Sequence, residues 1–370
     1  MPGDKIKAIV VAGARPNFMK CAPILKELER AKAFKTLFVH TGQHYDYDMS
    51  LVFFKHLKIR RPDVFLNVGS APRARQIAKI QARFEKAARR FGPDIVIVVG
   101  DVNSTLAASL AAKKIGTRLA HVEAGLRSFD NSMPEEINRV MTDSMSDILF
   151  TTSQSANANL AREGIPESRI YFVGNVMIDT LAANLKSAER SDVLERIGLR
   201  KKAYYVLTLH RPSNVDKRRV LEGILNSIAE IAGGYRVVFP MHPRTEKMLK
   251  RFRLLDKIKD GGVFIVTRPL GYLDFLKLIR HSRMVFTDSG GIQEETAYLR
   301  VPCLTLRKNT ERPVTVEAGG NIIAGNTRVT ILKGFRSASR LLKKRRPAAI
   351  RLWDGMATRR IVKILLEAIS

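Results

Sequence analysis

Between Ile6 and Leu306 the chain alternates short, unbroken apolar runs with stretches of helical period, and this alternation limits the available folds more than any other feature. The first run, Ile-Lys-Ala-Ile-Val-Val-Ala over 6–12, ends at Gly13 and gives way to a helical pattern from Phe18 to about Ala31. Further strands are predicted over 36–40, 94–99, 118–122, 148–151 and 170–173, and helices over 75–90, 105–115, 135–146, 155–163 and 176–187. Strands of continuous Val and Ile must be buried on both faces, which happens when helices cover both sides of a parallel sheet. The expected class is α/β with a doubly wound, Rossmann-like plan.

A polar, charge-rich stretch from Ser187 to Lys202 interrupts the pattern and reads as a boundary. Beyond it strands are predicted over 204–209, 236–239, 263–266, 284–287 and 303–306, with helices over 220–232, 272–281 and 292–298. A chain of 370 residues, at roughly 100 to 200 per domain, implies two units. They are expected over 1–187 and 203–352, with a helix over 353–370 packing back toward the first. Two such units would face a central cleft at the carboxyl ends of their strands, where open α/β sheets bind ligands.

The 64 basic and 35 acidic residues give a formal charge of +29. Such an excess draws nucleic acid, anionic lipid or a phosphorylated metabolite. The basic residues are spread along the chain, and the densest run, Arg340 to Arg351, lacks the interleaved aromatics of a base-stacking platform. It reads as a solvated surface, so no nucleic-acid partner is expected. Cys21 and Cys303 lie far apart, without His or Cys at ligand spacing, which supports neither a disulfide framework nor a zinc site. No stretch approaches the roughly 18 apolar residues of a membrane span and no signal-peptide pattern opens the chain, so a cytoplasmic protein without a membrane partner is expected.

Gly13-Ala14-Arg15-Pro16-Asn17 falls where the first strand meets the first helix, and a tight turn with Arg beside free N–H groups suits phosphate. An ordinary turn with a surface Arg is the plainer alternative. The segment matches neither the G-x-G-x-x-G fingerprint nor a Walker loop. Asp288-Ser289-Gly290-Gly291 precedes a helix containing Glu295. That turn lets a diphosphate approach the backbone at a helix N-terminus, with Glu295 placed to accept from ribose hydroxyls. A plain N-cap is the alternative there.

Asp101, Glu123 and Glu135 follow neighbouring strands and are expected on one rim, as acid and base groups working on opposite faces of a substrate require. Their crowding would raise each other's pKa. A metal is the competing use, disfavoured because no further His or Asp stands at ligand spacing. Glu136 reads as a helix-start charge. His210, beside Arg211 at a strand end, is a candidate phosphate contact, and His242 has a similar setting. Tyr45, Tyr47 and Phe275 are candidate stacking groups.

Taken in order, these motifs resemble the non-hydrolysing UDP-N-acetylglucosamine 2-epimerases over nearly the whole chain. The likeness runs through Gly13 to Pro16, Thr41-Gly42-Gln43-His44, Gly100-Asp101, His121 to Arg127, Pro134-Glu135-Glu136 with Asn138-Arg139, Gly174-Asn175, His210-Arg211, Thr287 to Glu295 and Thr310-Glu311-Arg312-Pro313. It implies the two-domain fold of GT-B glycosyltransferases, a homodimer and no cofactor. The implied reaction interconverts UDP-N-acetylglucosamine and UDP-N-acetylmannosamine by elimination of UDP, a 2-acetamidoglucal intermediate and re-addition. Carried over by position, Asp101, Glu123, Glu135 and His210 form the catalytic group. Arg15, Lys20, Arg139, Phe275, Ser289, Gly290, Gly291, Glu295 and Arg312 contact substrate, and Gln43, His44 and His242 match a second, activating site. The family often carries Glu, Arg and Glu where Asn17, Pro212 and Val314 stand, departures that bear on selectivity and activation. A hydrolysing epimerase or a GT-B glycosyltransferase would share the nucleotide site and differ at the carboxylates. A polyanion-binding protein is the reading that rests on charge alone.

Overall fold

Seven parallel strands build the first sheet: β1 (Ile6–Ala12), β2 (Phe34–His40), β3 (Val64–Phe65), β4 (Ile95–Val99), β5 (Arg118–Ala124), β6 (Ile148–Thr151) and β7 (Ile170–Phe172). Their spatial order is β3-β2-β1-β4-β5-β6-β7. In this computed structural model residues 5–43, 60–344 and 347–369 are described. Every residue of β4, Ile-Val-Ile-Val-Val, is buried, as a sheet covered on both faces demands. Ala8, Val10 and Ala12 enter one core with Phe18, Ile24 and Leu28 of the helix Arg15–Arg30, while Ile9 and Val11 enter the opposite core with Ile80, Phe84 and Ala107.

The second sheet has six parallel strands, β8 (Tyr204–Thr208), β9 (Arg236–Pro240), β10 (Phe264–Thr267), β11 (Val285–Thr287), β12 (Cys303–Thr305) and β13 (Asn321–Ile323). Their order is β10-β9-β8-β11-β12-β13. Tyr205 and Leu207 face one core and Tyr204 and Val206 the other. Each sheet therefore reverses its winding beside its first strand, between β1 and β4 and between β8 and β11. Such switch points open the crevices in which doubly wound sheets hold ligands.

The chain divides into two compact units, Met1–Ala182 with Arg351–Ser370, and Ala183–Ile350. The division falls within the helix Val176–Glu189, ahead of the polar stretch expected to be a boundary. Part of that stretch forms the short helix Val193–Ile197, whose Val193 and Leu194 enter the second core, so its polar composition reflects one exposed side and not a linker. The final helix, Ala357–Ile369, packs against Arg15–Arg30 in the first unit, and the buried Asp179 carboxylate accepts from Ala357 N at 3.0 Å and Thr358 N at 2.7 Å at its start. The basic run read as plain surface begins inside a helix, Arg328–Lys344, that buries Ile331 and Ala338. No helix among the described residues is long and apolar enough to cross a membrane.

Candidate active site

At the first switch point the chain leaves β1 through Gly13, where a Cβ would collide with the Ser104 side chain. Asn17 then closes the turn: its Oδ1 accepts from Ala14 N at 3.0 Å and its Nδ2 donates to Val99 O at 2.9 Å, fastening the helix start to the end of β4. Asp101 follows Gly100, whose φ of +69° needs glycine. Glu123 sits where the register between β5 and β6 shifts, with a φ of +76° that is rare outside glycine. Non-glycine backbone held there costs on the order of 1–3 kcal/mol and persists where surroundings enforce it, commonly at functional sites.

Two of the three carboxylates face cations. Glu123 is buried in an ion pair with Lys20, and Asp101 receives Arg139 through Nε at 3.0 Å and NH2 at 2.8 Å. Of the two glutamates that open the helix Pro134–Met145, Glu135 is exposed and Glu136 is buried. Glu136 is therefore more than a helix-start charge: it pairs with Arg139 and accepts from Ser128 N at 3.0 Å and Phe129 N at 2.9 Å.

Beneath the bulge lies a buried network. His121 meets Asp143 Oδ1 through Nδ1 at 2.6 Å and Gly100 O through Nε2 at 2.9 Å. The other Asp143 oxygen accepts from Gly125 N at 3.1 Å and Arg127 NH2 at 2.7 Å. Burial pushes the Asp143 carboxyl up, but His121 and Arg127 outweigh it and hold the group below its ordinary range.

At the second switch point a buried carboxylate, Asp288, collects the turns after β8 and β11. It accepts from His210 N, from Arg211 N at 2.9 Å and from Asn214 Nδ2 at 3.1 Å, and faces His210 Nδ1 at 2.8 Å. Burial raises this carboxyl, yet the His210 ring and the backbone donors hold it below its usual range. With Nδ1 engaged, Nε2 of the half-buried His210 is the nitrogen left to meet a ligand. The His242 ring lies 5.5 Å from that of His210, so a residue assigned to activation stands beside one assigned to the diphosphate.

Ser289 precedes the helix Gly290–Leu299, but its hydroxyl makes no capping bond, so a plain N-cap does not account for it. The helix start keeps N–H groups for an anion. A Cβ on Gly290 would stand 2.7 Å from Arg312 NH1, whereas one on Gly291 would meet nothing within 4 Å. Arg312 is locked by Glu294 at 2.8 Å and borders Glu311, itself paired with Arg307 at 2.8 Å. Glu295 is buried, and burial together with Glu294 pushes its carboxyl up to about 8. Tyr272, buried nearby, is raised well above its ordinary value by burial and by Glu295. Phe275 is half-buried against the second core.

Two groupings emerge. The first unit gathers Lys20, Asp101, Glu123 and Arg139, leaving Glu135 on the exposed side of its helix; the second gathers His210, His242, Ser289, Gly290, Gly291, Glu295 and Arg312. Gln43 is buried and accepts from Ser104 Oγ at 2.8 Å. His44, Tyr45 and Tyr47 lie outside the described residues, as does the side chain of Arg15. Sequence reasoning missed the roles of Asp288, Asp143 and His121; the signal for Asp288 was an acid directly after an apolar strand, and for His121 a histidine between Ala120 and Val122 inside a strand. Among the described residues no group of three His, Cys, Asp or Glu is placed to hold a metal ion.

Two doubly wound parallel units, each gathering polar groups where its strand order reverses, define an α/β protein of the GT-B glycosyltransferase type. The family described as UDP-N-acetylglucosamine 2-epimerase matches residues 26–366, and the chain belongs to that family. The UDP-N-acetylglucosamine 2-epimerase of Methanocaldococcus jannaschii is 42% identical over 365 residues, spanning 97% of this chain and 99% of that protein. Its crystal structure in complex with UDP-GlcNAc and UDP matches with a TM-score of 0.90, covering 98% of this chain and 100% of that one. The UDP-2,3-diacetamido-2,3-dideoxy-D-glucuronate 2-epimerase of Pseudomonas aeruginosa is 38% identical, over 90% of this chain and 92% of that protein.

Proposed function

We propose that the protein interconverts UDP-N-acetylglucosamine and UDP-N-acetylmannosamine without net hydrolysis, by eliminating UDP and adding it back. The observation that carries this reading is Glu123: a buried glutamate on left-handed backbone, paired with Lys20 beside the Asp101–Arg139 pair. A C2–H bond of a sugar is weakly acidic, so its loss must accompany departure of a good leaving group from C1. In the proposed step a carboxylate of the set Asp101, Glu123 and Glu135 takes the C2 proton as the C1–O bond to UDP breaks, leaving a C1–C2 double bond. UDP is held by the Ser289-Gly290-Gly291 turn, His210, Arg312 and Arg15, with Glu295 toward the ribose and Phe275 toward the uracil; fixed donors stabilise the departing charge. Protonation of C2 on the other face, and return of UDP to C1, gives the epimer. No electrons are transferred to or from a cofactor.

Incubation with UDP-N-acetylglucosamine in D₂O, followed by NMR, tests the proposal. The expected product is UDP-N-acetylmannosamine carrying deuterium at C2, since a carboxylate proton exchanges with solvent. Free N-acetylmannosamine with UDP would identify a hydrolysing enzyme, and protium retained at C2 would overturn the elimination route. The relationship to the Pseudomonas aeruginosa enzyme supports a second substrate reading, a UDP-sugar with a 3-acetamido group and a 6-carboxylate. The same incubation with that sugar decides between them by relative kcat/KM.

A homodimer belongs to the same proposal. The helix Pro134–Met145 exposes Ile137, Val140 and Met141 on one side, an apolar surface suited to a second copy. Ile137→Asp combined with Met141→Asp is expected to shift sedimentation from dimer to monomer.

A further inference from the structure

His121 is fully buried with both ring nitrogens engaged, and it joins the two turns that carry the proposed proton-transfer groups. Its Nε2 faces the carbonyl of Gly100, at 2.9 Å, and a carbonyl only accepts, so Nε2 donates. Its Nδ1 is fixed by Asp143 at 2.6 Å. The strands concerned are neighbours, with Val99 of β4 opposite Val122 of β5. Each strand meets a left-handed residue near its end, Gly100 at +69° directly after β4 and Glu123 at +76° at the bulge of β5. The second oxygen of Asp143 receives Gly125 N, and Asn159 Nδ2 donates to Gly125 O at 2.9 Å. The bulge is thereby fastened on both sides of Glu123, two residues before it by His121 and two residues after it by Gly125.

His121 and Asp143 are both fully buried. An apolar side chain could fill that volume without the desolvation that a buried polar pair costs. What the pair supplies and an apolar residue would not is a directional tie between two backbone turns, one of them strained. We propose that His121, oriented by Asp143, is a positioning residue that sets the placement of Glu123 relative to the Asp101 turn. The assignment rests on the epimerase reading above.

The test is a double-mutant cycle on the full chain, combining His121→Gln with Glu123→Gln and reading kcat, KM, C2 deuterium uptake and UDP binding. His121→Gln alone is expected to lower kcat and deuterium uptake together by about 10- to 100-fold, the scale of a misplaced reacting group. UDP binding and KM should stay within about 2-fold, because the proposed nucleotide residues other than Arg15 belong to the second unit and His121 touches none of them. The double variant should lose at least about 5-fold less than the product of the two single losses, since the residues act as one device. A kcat unchanged in His121→Gln, or losses that multiply fully, overturns the assignment. If His121→Gln lacks the wild-type circular dichroism spectrum, His121→Asn, which keeps a donor toward Asp143 and releases Gly100, is run through the same cycle. A wild-type chain that takes up no deuterium at C2 overturns the epimerase reading and this assignment with it; normal wild-type uptake with fully multiplying losses overturns the assignment alone.

Discussion

The two units run their strands in the same order and differ in what they place where that order reverses. In the first, the turn after β4 and the bulge near the end of β5 carry acids, each held by a cation: Asp101 by Arg139 and Glu123 by Lys20. In the second, the turn after β11 offers an uncapped helix start and an open face at Gly291, and its Asp288 holds the histidine that follows β8. On the proposed reading, one scaffold supports proton exchange in one unit and anion binding in the other. The choice lies in a few side chains at the carboxyl ends of the strands, where doubly wound sheets vary without disturbing their cores.

If the division is correct, substitutions of the first unit's acids must change kcat and leave UDP affinity alone. Glu123→Gln and Asp101→Asn are expected to lower kcat by roughly 10² to 10⁴-fold, the range for loss of a general acid or base. Isothermal titration should return the wild-type UDP affinity for both. Weakened UDP binding would merge the two roles and dissolve the comparison.

The reciprocal change is Gly290→Val. Its side chain would enter the space of the Arg312 guanidinium and break the Arg312–Glu294 pair. A loss of about 1.5–3 kcal/mol in UDP binding is expected, roughly 10- to 150-fold, as for a charge-assisted contact. Gly291→Ala, with open space around it, should bind UDP within a few-fold of wild type and so separate crowding from the mere presence of a side chain. Within the first unit, Glu136→Gln should lower the melting free energy by about 1–3 kcal/mol, because a buried acceptor of two backbone N–H groups loses its charge. Exposed Glu135→Gln should leave the melting temperature unchanged, which calorimetry can read directly.

That pair of neighbouring glutamates marks where sequence reasoning stopped. The strands 6–12, 94–99 and 204–209 were legible because both faces of each are buried and continuous Val, Ile or Tyr reports that without context. β13 was not, since it has three residues and begins at Asn321, which is buried through hydrogen bonds to Thr305 and Thr315. Asp101 and Glu123 were legible as acids at strand ends; their cations were not, because Lys20 and Arg139 come from helices distant in sequence. The helix Pro134–Met145 is read backwards by any rule that sends apolar residues inward. It buries Glu136, Arg139 and Asp143, at i, i+3 and i+7, and exposes Ile137, Val140 and Met141. Local pattern fixes which residues share a face, and only the tertiary structure says which face meets the protein.

The smallest effect expected comes from Glu295, and it tests the character of the second unit most finely. Burial, with Glu294 beside it, pushes this carboxyl up to about 8, against an ordinary value of 4.5. Between those values the folded chain holds a proton that the unfolded chain has released, so the stability this group contributes is present in full below about pH 4.5 and is lost as pH rises through about 8. Wild-type stability to urea should accordingly carry a component that falls from pH 5 to pH 8.5. Glu295→Gln, an amide of nearly the shape of the protonated acid, should flatten that component. At pH 7 the variant should bind UDP within about 3-fold of wild type, because a neutral side chain replaces a mostly neutral one. A Glu295→Gln variant with the wild-type pH slope would place the titrating group elsewhere. A large loss of UDP affinity at pH 7 would mean that the nucleotide meets an ionised carboxylate, and that binding itself draws the Glu295 carboxyl back toward its ordinary range.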